Sequence, residues 1–175
     1  MKTLRFILLF ILMSGTACAQ ALDTPKTFAV LKSLAGTWEG PSTVDPPQPG
    51  WANGKVVQFI LRDASQGQAV THLISYGGPP EISVAYVDAG KLTLLHYCDA
   101  GNRPRLVAAA SPDGKTITFD MVELSGPDTM GHLAQIAITT IDADHHVEDL
   151  IYMLPGNKPM HAHFDLKRVP EKAKP

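Results

Sequence analysis

Turn-forming segments interrupt this chain at short intervals from Asn53 onward, and they constrain its fold more than any other feature. Each combines Gly, Pro, Asp, Asn or Ser, the residues that favour tight turns. These segments are 63–67, 77–80, 88–91, 99–102, 112–115, 142–144 and 155–158. The runs between them are rich in the Val, Ile, Thr, Phe and Tyr that are typical of strands, and they are 55–61, 68–76, 81–87, 91–97, 116–123, 133–141 and 147–154. No helix long enough to connect parallel strands fits between them, so the sequence predicts an antiparallel sheet.

The segment Gly36-Thr37-Trp38-Glu39-Gly40 begins the first predicted strand. Its glycines permit close backbone approach, and Trp38 is a large apolar ring system that must be covered. Arg168, near the end of the chain, can cover it, because a guanidinium stacks on an indole and keeps donors for backbone carbonyls. This combination resembles the calycins, the lipocalin-type barrel superfamily. The resemblance implies that Gly36, Trp38 and Arg168 close one end of a barrel.

A short amphipathic helix is expected before the first strand. Phe28, Leu31 and Leu34 recur at helical spacing, with Thr24 as a candidate N-cap and Pro25 at the first helical position. Calycins often carry such a helix over the closed end of the barrel.

We therefore predict an all-β fold, an antiparallel lipocalin-like β-barrel of about nine or ten strands with a short N-terminal helix. Residues 20–35 would hold the helix, residues 36–169 the barrel and residues 170–175 a flexible tail. The proline-rich segment 41–51 is expected to be a long loop, because Pro is excluded from central strands. A closed barrel hides its strand edges, and a two-sheet sandwich is the alternative.

Residues 1–19 have the parts of a secretory signal peptide: a basic start, an apolar run over 6–13 and the cleavage site Ala17-Cys18-Ala19. The apolar run is shorter than the roughly 20 residues of a membrane-spanning helix. We expect export to the periplasm or beyond, with 156 of the 175 residues left after cleavage. A lipid anchor on Cys18 is not expected, because Gly15 occupies the position where lipidation needs a bulky apolar residue.

Charge and cysteine content restrict the partners of the mature chain. Without Lys2 and Arg5, 13 of the 15 basic side chains remain against 17 acidic ones. Nucleic acids and anionic membranes both attract basic surfaces, so neither is an expected partner. Cys98 is then the only cysteine, which excludes an internal disulfide.

A candidate ligand site lies at the end of the run 91–97. Strand alternation puts His96 and Cys98 on the face shared with two leucines, which marks it as the inner face. The returning strand brings Arg105 or Leu106 opposite His96, depending on register. We expect His96, Cys98 and Arg105 to line one mouth of the barrel.

The same region resembles a group of bacterial barrel proteins with no assigned activity. The shared elements are His96-Tyr97-Cys98, Gly101-Asn102-Arg103-Pro104-Arg105, Gly131-His132 and Asp142-Ala143-Asp144-His145. The similarity covers most of the mature chain. It implies a fold, and it carries no activity over to this chain.

Support for catalysis from motifs is absent. A Cys98 thiolate assisted by His96 would be a nucleophile, but no third orienting group is evident, and a buried cysteine beside a hydrogen-bonded histidine is the preferred interpretation. Glu148 and Asp149 are rejected as a catalytic pair, because neighbours on a strand point to opposite faces. An enzyme with His96 as acid or base remains an alternative.

His161 and His163 alternate with the apolar residues of the last strand, so both imidazoles are expected on the outer face, and no metal site is predicted. The segment 36–40 is also similar to the start of nitrobindin-type barrels, which bind haem through a histidine on a late strand. That resemblance implies His161 as a haem ligand, and haem is the one cofactor considered.

The leading functional hypothesis is an exported barrel that binds a small hydrophobic molecule without catalysing a reaction. The expected binding residues are His96, Cys98, Asn102, Arg105, His132 and Tyr86, with Trp51 and Tyr97 as further walls. The alternatives are an enzyme centred on His96, a haem-binding barrel and a solid barrel with a structural role. The sequence leaves the oligomeric state open.

Overall fold

One short helix and ten strands form the protein in a computed structural model that describes residues 22–51, 53–75, 79–109 and 114–170. Helix α1 spans Thr24–Ser33, and a single 3-10 turn spans Ser65–Gly67. The strands are β1 (Gly36–Asp45), β2 (Val56–Ala64), β3 (Ala69–Ser75), β4 (Glu81–Asp88), β5 (Lys91–Tyr97), β6 (Arg103–Ala109), β7 (Thr116–Ser125), β8 (His132–Asp142), β9 (His145–Leu154) and β10 (Lys158–Arg168). The expected signal peptide and residues 171–175 of the expected tail lie outside the described residues.

Each strand pairs antiparallel with the next along the chain, and β1 also pairs with β10. That last pairing closes the sheet into a ten-strand barrel. The structure therefore confirms the predicted all-β antiparallel barrel with one short helix. The sandwich alternative is wrong, because no edge separates two sheets when β1 is bonded on both sides.

Strand alternation fills the barrel with apolar side chains. Along β10, the side chains of Met160, Ala162, Phe164 and Leu166 are buried, and the residues between them face outward. The largest fully buried side chains of the barrel include three phenylalanines and one tryptophan, namely Phe59, Phe119, Phe164 and Trp38. Removing such a side chain from water contributes about 1.5–3 kcal/mol, so these rings supply much of the stability of the core.

Helix α1 covers the end of the barrel where β4 turns into β5. The Asp23 side chain caps the helix by accepting a hydrogen bond from the Lys26 backbone N–H at 3.1 Å, so Asp23 takes the capping role considered for Thr24. The Thr24 hydroxyl instead donates to the Gly90 carbonyl at 2.9 Å and ties the helix to the β4–β5 turn. Within the helix, the side chain of Phe28 is buried. Among the described residues, no helix has the length and apolar character needed to cross a membrane.

The contact between Trp38 and Arg168 joins the first strand of the barrel, β1, to the last strand, β10. The guanidinium lies 4.1 Å from the centre of the indole, and its Nη atoms donate to the carbonyls of Ala35 at 2.7 Å and Ala143 at 2.9 Å. Gly36 makes room for this arrangement, since a Cβ at that position would collide with the guanidinium. The contact connects β1, β10 and the β8–β9 turn at the end covered by the helix.

The predicted loop over 41–51 begins later than expected, because β1 continues through Pro41 to Asp45 and only 46–51 lie outside a strand. The pairing with β10 breaks at Gly40 and Pro41 and resumes at Ser42. A proline has no N–H to contribute, so it fits where the ladder is already interrupted. Gly40 contributes to the same break, since it packs so closely against the Asp165 carbonyl that a Cβ would collide with it.

Replacing Arg168 by alanine is expected to lower the free energy of unfolding by about 2 kcal/mol, because a partly buried cation–π contact and several hydrogen bonds from the charged guanidinium are lost together. Arg168→Lys should recover only part of this, since an ammonium cannot stack and bridge two carbonyls. Urea titration followed by tryptophan fluorescence measures the difference.

Arg105→Ala is the matched control. Arg105 pairs with Glu123 on the surface at 2.8 Å, and exposed ion pairs contribute about 0–1 kcal/mol. Equal losses in the two alanine variants would show that Arg168 does not hold the barrel closed.

Candidate functional site

Polar side chains gather at the mouth of the barrel opposite helix α1. Glu81 begins β4, His96 comes one residue before the end of β5, and Tyr152 lies near the end of β9. Ser83 pairs with His96 across β4 and β5, which places both residues on the inner face. The antiparallel order thus brings the start of one strand and the ends of two others to a single opening.

His96 is held between two partners at this mouth. Its side chain is 2% exposed, and its Nδ1 atom lies 2.9 Å from the Ser83 hydroxyl oxygen. Its Nε2 atom lies 3.4 Å from Glu81 Oε2, longer than a good hydrogen bond. The other carboxylate oxygen of Glu81 accepts a hydrogen bond from the Asp99 backbone N–H at 3.3 Å. One oxygen of Glu81 is thereby anchored, and the other faces the imidazole.

Cys98 follows directly after β5 and turns into the same cluster. Its thiol is buried, and the Sγ atom lies 3.1 Å from the Tyr152 hydroxyl oxygen. A tight turn fixes its backbone, because Cys98 N–H donates to the Asn102 carbonyl and Gly101 N–H donates back to the Cys98 carbonyl. The thiol is therefore positioned by both its backbone and its side-chain partner.

The protonation states at the mouth follow from burial and neighbouring charge. Burial opposes ionisation of Glu81, but the polar contact with His96, its charge and the Asp99 N–H outweigh it and lower the pKa of that carboxyl. Burial and the nearby Glu81 charge raise the pKa of Asp99. Burial also raises the pKa of the Cys98 thiol, and burial together with Cys98 raises the pKa of Tyr152. A thiol that keeps its proton is a poor nucleophile, so Cys98 does not have the electronic state of a catalytic thiolate.

A pocket of about 220 Å³ opens outside this cluster. The loop after β1 forms one wall, where the Trp51 ring packs edge-on against Tyr152 with 5.6 Å between ring centres. The carboxylates of Glu81 and Asp99 face the same space. The remaining lining is largely apolar and consists of Pro49, Gly50, Ala100, Met130 and Leu154.

Three side chains at the mouth can ligate a metal together. Ligand atoms of Glu81, His96 and Cys98 all lie within 4.8 Å of one another. No such site was expected from the sequence, because Glu81 comes from the strand that precedes the His96 segment. The sequence did predict that His96 and Cys98 share the inner face. The pairing of β4 with β5 then brings Glu81 beside them as the third ligand.

Two further predicted site residues, Asn102 and His132, bind the loop between β7 and β8. Asn102 is buried, and its side-chain amide donates to the Gly131 carbonyl at 2.7 Å and the Pro127 carbonyl at 3.0 Å. His132 is the first residue of β8, and its Nδ1 atom lies 2.7 Å from Asp128 Oδ1 in the loop that precedes the strand. Both residues therefore hold the β7–β8 loop in place, and neither lines the pocket described above.

Other predicted site residues lie on the outer face. The expectation that Arg105 or Leu106 lies opposite His96 was wrong, because Arg105 pairs with Leu95 and Leu106 with Leu94. Leu106 is buried inside, so Arg105 points outward and does not line the mouth. Tyr86 alternates with an inward residue and is half-buried outside, and Tyr97 is 45% exposed. His161 is exposed on the outer face of β10, as the alternation predicted.

A second polar cluster, the interior triad of His72, His146 and Glu148, lies inside the barrel. Glu148 is fully buried, and its Oε1 atom lies 3.0 Å from His146 Nε2 and 3.3 Å from His72 Nε2. Trp38 packs at right angles against His146, with 4.2 Å between ring centres. Glu148 Oε2 has no hydrogen-bond partner among the described residues.

Sequence reasoning missed the interior triad. It dismissed Glu148 because Asp149 faces the other way, and it did not consider His72. Alternation did hold a signal, since His146 and Glu148 share a face with Leu150, and His72 shares one with Val70. Only the closed barrel brings β3 and β9 to opposite walls of one interior.

The interior triad makes stability depend on pH. Burial opposes ionisation, but the charge of His72, 3.3 Å away, and the hydrogen bond and charge of His146 outweigh it and lower the pKa of Glu148 to about 2, from an ordinary value of 4.5. Because the folded-state pKa is depressed, this group stabilises the fold fully above pH 4.5 and loses that contribution as the pH falls toward 2. The difference corresponds to roughly 3 kcal/mol.

Glu148→Gln is therefore expected to flatten the fall of unfolding free energy between pH 5 and pH 3, because the amide takes up no proton. Urea titrations at several pH values measure the slope. Glu123→Gln is the matched control, since Glu123 is 60% exposed and should leave the slope as in the parent protein. An unchanged slope in Glu148→Gln would contradict the assignment of acid sensitivity to the interior triad.

Comparisons with known proteins give no functional assignment. The chain matches no model of a known protein family, and it matches no curated protein. The closed ten-strand antiparallel barrel is consistent with a calycin-like fold. Function must therefore be argued from the side chains at the mouth and in the interior.

Proposed function

We propose that this protein is an exported, non-enzymatic barrel that binds a small, mostly apolar molecule in the mouth pocket. The observation that carries the proposal is the composition of that pocket, which combines an apolar and aromatic lining with two carboxylates on one side. Binding sites for small molecules typically have this makeup, an apolar surface with a few polar groups that fix orientation. The signal-like N-terminal sequence supports export.

The pocket size limits the ligand. A volume of about 220 Å³ is below the 300–1,000 Å³ that is usual for drug-sized ligands. A single aromatic ring with a short substituent fits this space.

The charge of the pocket indicates the substituent. Glu81 holds a negative charge because its pKa is lowered, and Asp99 adds a second carboxyl beside it. Trp51 and Tyr152 present aromatic surface next to these groups, and aromatic faces attract cations. In the metal-free protein, the pocket should therefore prefer an ammonium group and disfavour a carboxylate.

Benzylamine and benzoate are matched probes of this preference. In buffer containing EDTA, we expect benzylamine to bind more tightly than benzoate by isothermal titration calorimetry, because the two ligands differ mainly in the sign of their charge. Trp51→Ala should weaken benzylamine binding about tenfold through loss of aromatic contact.

Tyr97→Ala is the control for that variant, since Tyr97 is an aromatic residue on the outer face and should leave the affinity unchanged. Failure of both probes to bind, or equal effects of the two substitutions, would overturn the proposed pocket.

A further inference from the structure

We propose that Glu81, His96 and Cys98 bind one zinc-class divalent metal ion beside the mouth pocket. The inference rests on the proposed function in one respect, because Glu81 also lines that pocket. It rests otherwise on the three side chains alone. The sequence did not lead us to expect a metal site here.

The separations of the ligand atoms suit a single ion. Zinc lies about 2.0–2.3 Å from nitrogen, oxygen and sulfur ligands, which places tetrahedral ligands roughly 3.3–3.8 Å apart. His96 Nε2 and Glu81 Oε2 are 3.4 Å apart, already within that range. All three ligand atoms lie within 4.8 Å of one another, so a movement of about 1 Å by the Cys98 side chain completes the set.

The surrounding contacts orient the ligands toward the same point. The Ser83 hydroxyl oxygen, 2.9 Å from His96 Nδ1, can accept a hydrogen bond from that nitrogen, which leaves the Nε2 lone pair directed at Glu81. Metal-bound histidines characteristically have such a partner on the second nitrogen. The Asp99 N–H occupies one oxygen of Glu81 and leaves the other facing His96.

The ligand types select the metal. A thiolate with an imidazole and one carboxylate favours zinc and similar ions over calcium and magnesium, which take oxygen ligands. As the metal–sulfur bond forms, Cys98 gives its proton to solvent. The Tyr152 hydroxyl, 3.1 Å from Sγ, can then donate to the thiolate. Three protein ligands leave a fourth position open for water or a ligand. Of the three side chains, Glu81 also lines the pocket, which places the ion next to that opening.

Titration of EDTA-treated, desalted protein with Co²⁺ alone and Zn²⁺ alone tests the proposal. We expect one ion per chain, a thiolate-to-cobalt charge-transfer band in the near ultraviolet, and loss of that band when Zn²⁺ displaces Co²⁺. Absence of the band in the parent protein would overturn the proposal.

Three variants separate this site from other ways of binding metal. Cys98→Ser should abolish the charge-transfer band and weaken zinc binding at least tenfold. Ser83→Ala should keep the band and weaken zinc binding by about 10–100-fold, as expected for loss of a partner that orients a ligand. His161→Ala is the matched control, because His161 is exposed on the outer face, and it should change neither measurement.

Circular dichroism checks that each variant is folded. If Cys98→Ser does not fold, Glu81→Gln serves in its place, because it should weaken zinc binding while the thiolate keeps its band. Zinc binding that survives both Cys98→Ser and Glu81→Gln, or that falls in His161→Ala, would assign the ion to surface histidines and overturn the proposal.

The two proposals fail in different ways. Benzylamine binding in EDTA together with no metal binding would overturn the metal site alone. Metal binding together with no benzylamine binding in EDTA would overturn the ligand preference of the pocket alone. If both proposals hold, saturating Zn²⁺ should make the protein prefer benzoate over benzylamine. Benzoate can ligate the ion, whereas benzylamine loses its contact with the Glu81 carboxylate. An unchanged preference for benzylamine would show that the ion does not bind at Glu81.

Discussion

The pairing of β1 with β10 is the interaction on which the rest of the structure depends. It turns a meander of antiparallel strands into a barrel, and the Trp38–Arg168 contact fixes it at the end covered by the helix. Once the sheet is closed, every inward position faces the same enclosed space. Residues distant in sequence, such as His72 and Glu148, then become neighbours because no solvent-exposed edge separates their strands.

The two polar clusters differ in their access to water. The interior triad is buried, and among the described residues two imidazoles balance its carboxylate, so loss of one partner leaves a buried charge. The mouth cluster borders an open pocket through Glu81, so it lies closer to solvent. The same alternation of inward and outward residues builds both clusters, and their depth in the barrel decides their chemistry.

Local patterns in the sequence predicted the fold well, because turn residues and strand periodicity act over short distances. They also put His96 and Cys98 on the inner face. The pairing between strands, which local patterns do not reveal, determined which other residues reach the interior and the mouth. The register of β6 placed Leu106 rather than Arg105 inside, and the broken ladder at Pro41 let β1 run past a proline. Glu81 reached the site through the pairing of β4 with β5, which single-strand periodicity does not reveal.

The mouth cluster is difficult to explain as structure alone. Its side chains occupy inward positions that, further into the barrel, are filled mostly by apolar residues such as leucine and phenylalanine, with the interior triad as the exception. Well-packed apolar residues at such positions are often as stabilising as buried polar networks or more so, since burying polar groups carries a desolvation cost. Here Ser83, His96 and Glu81 form a connected set beside a pocket, and Cys98 adds a thiol with a phenolic partner. The interior triad does not line that pocket, so the position of the mouth cluster next to the pocket is what supports the binding role proposed for it.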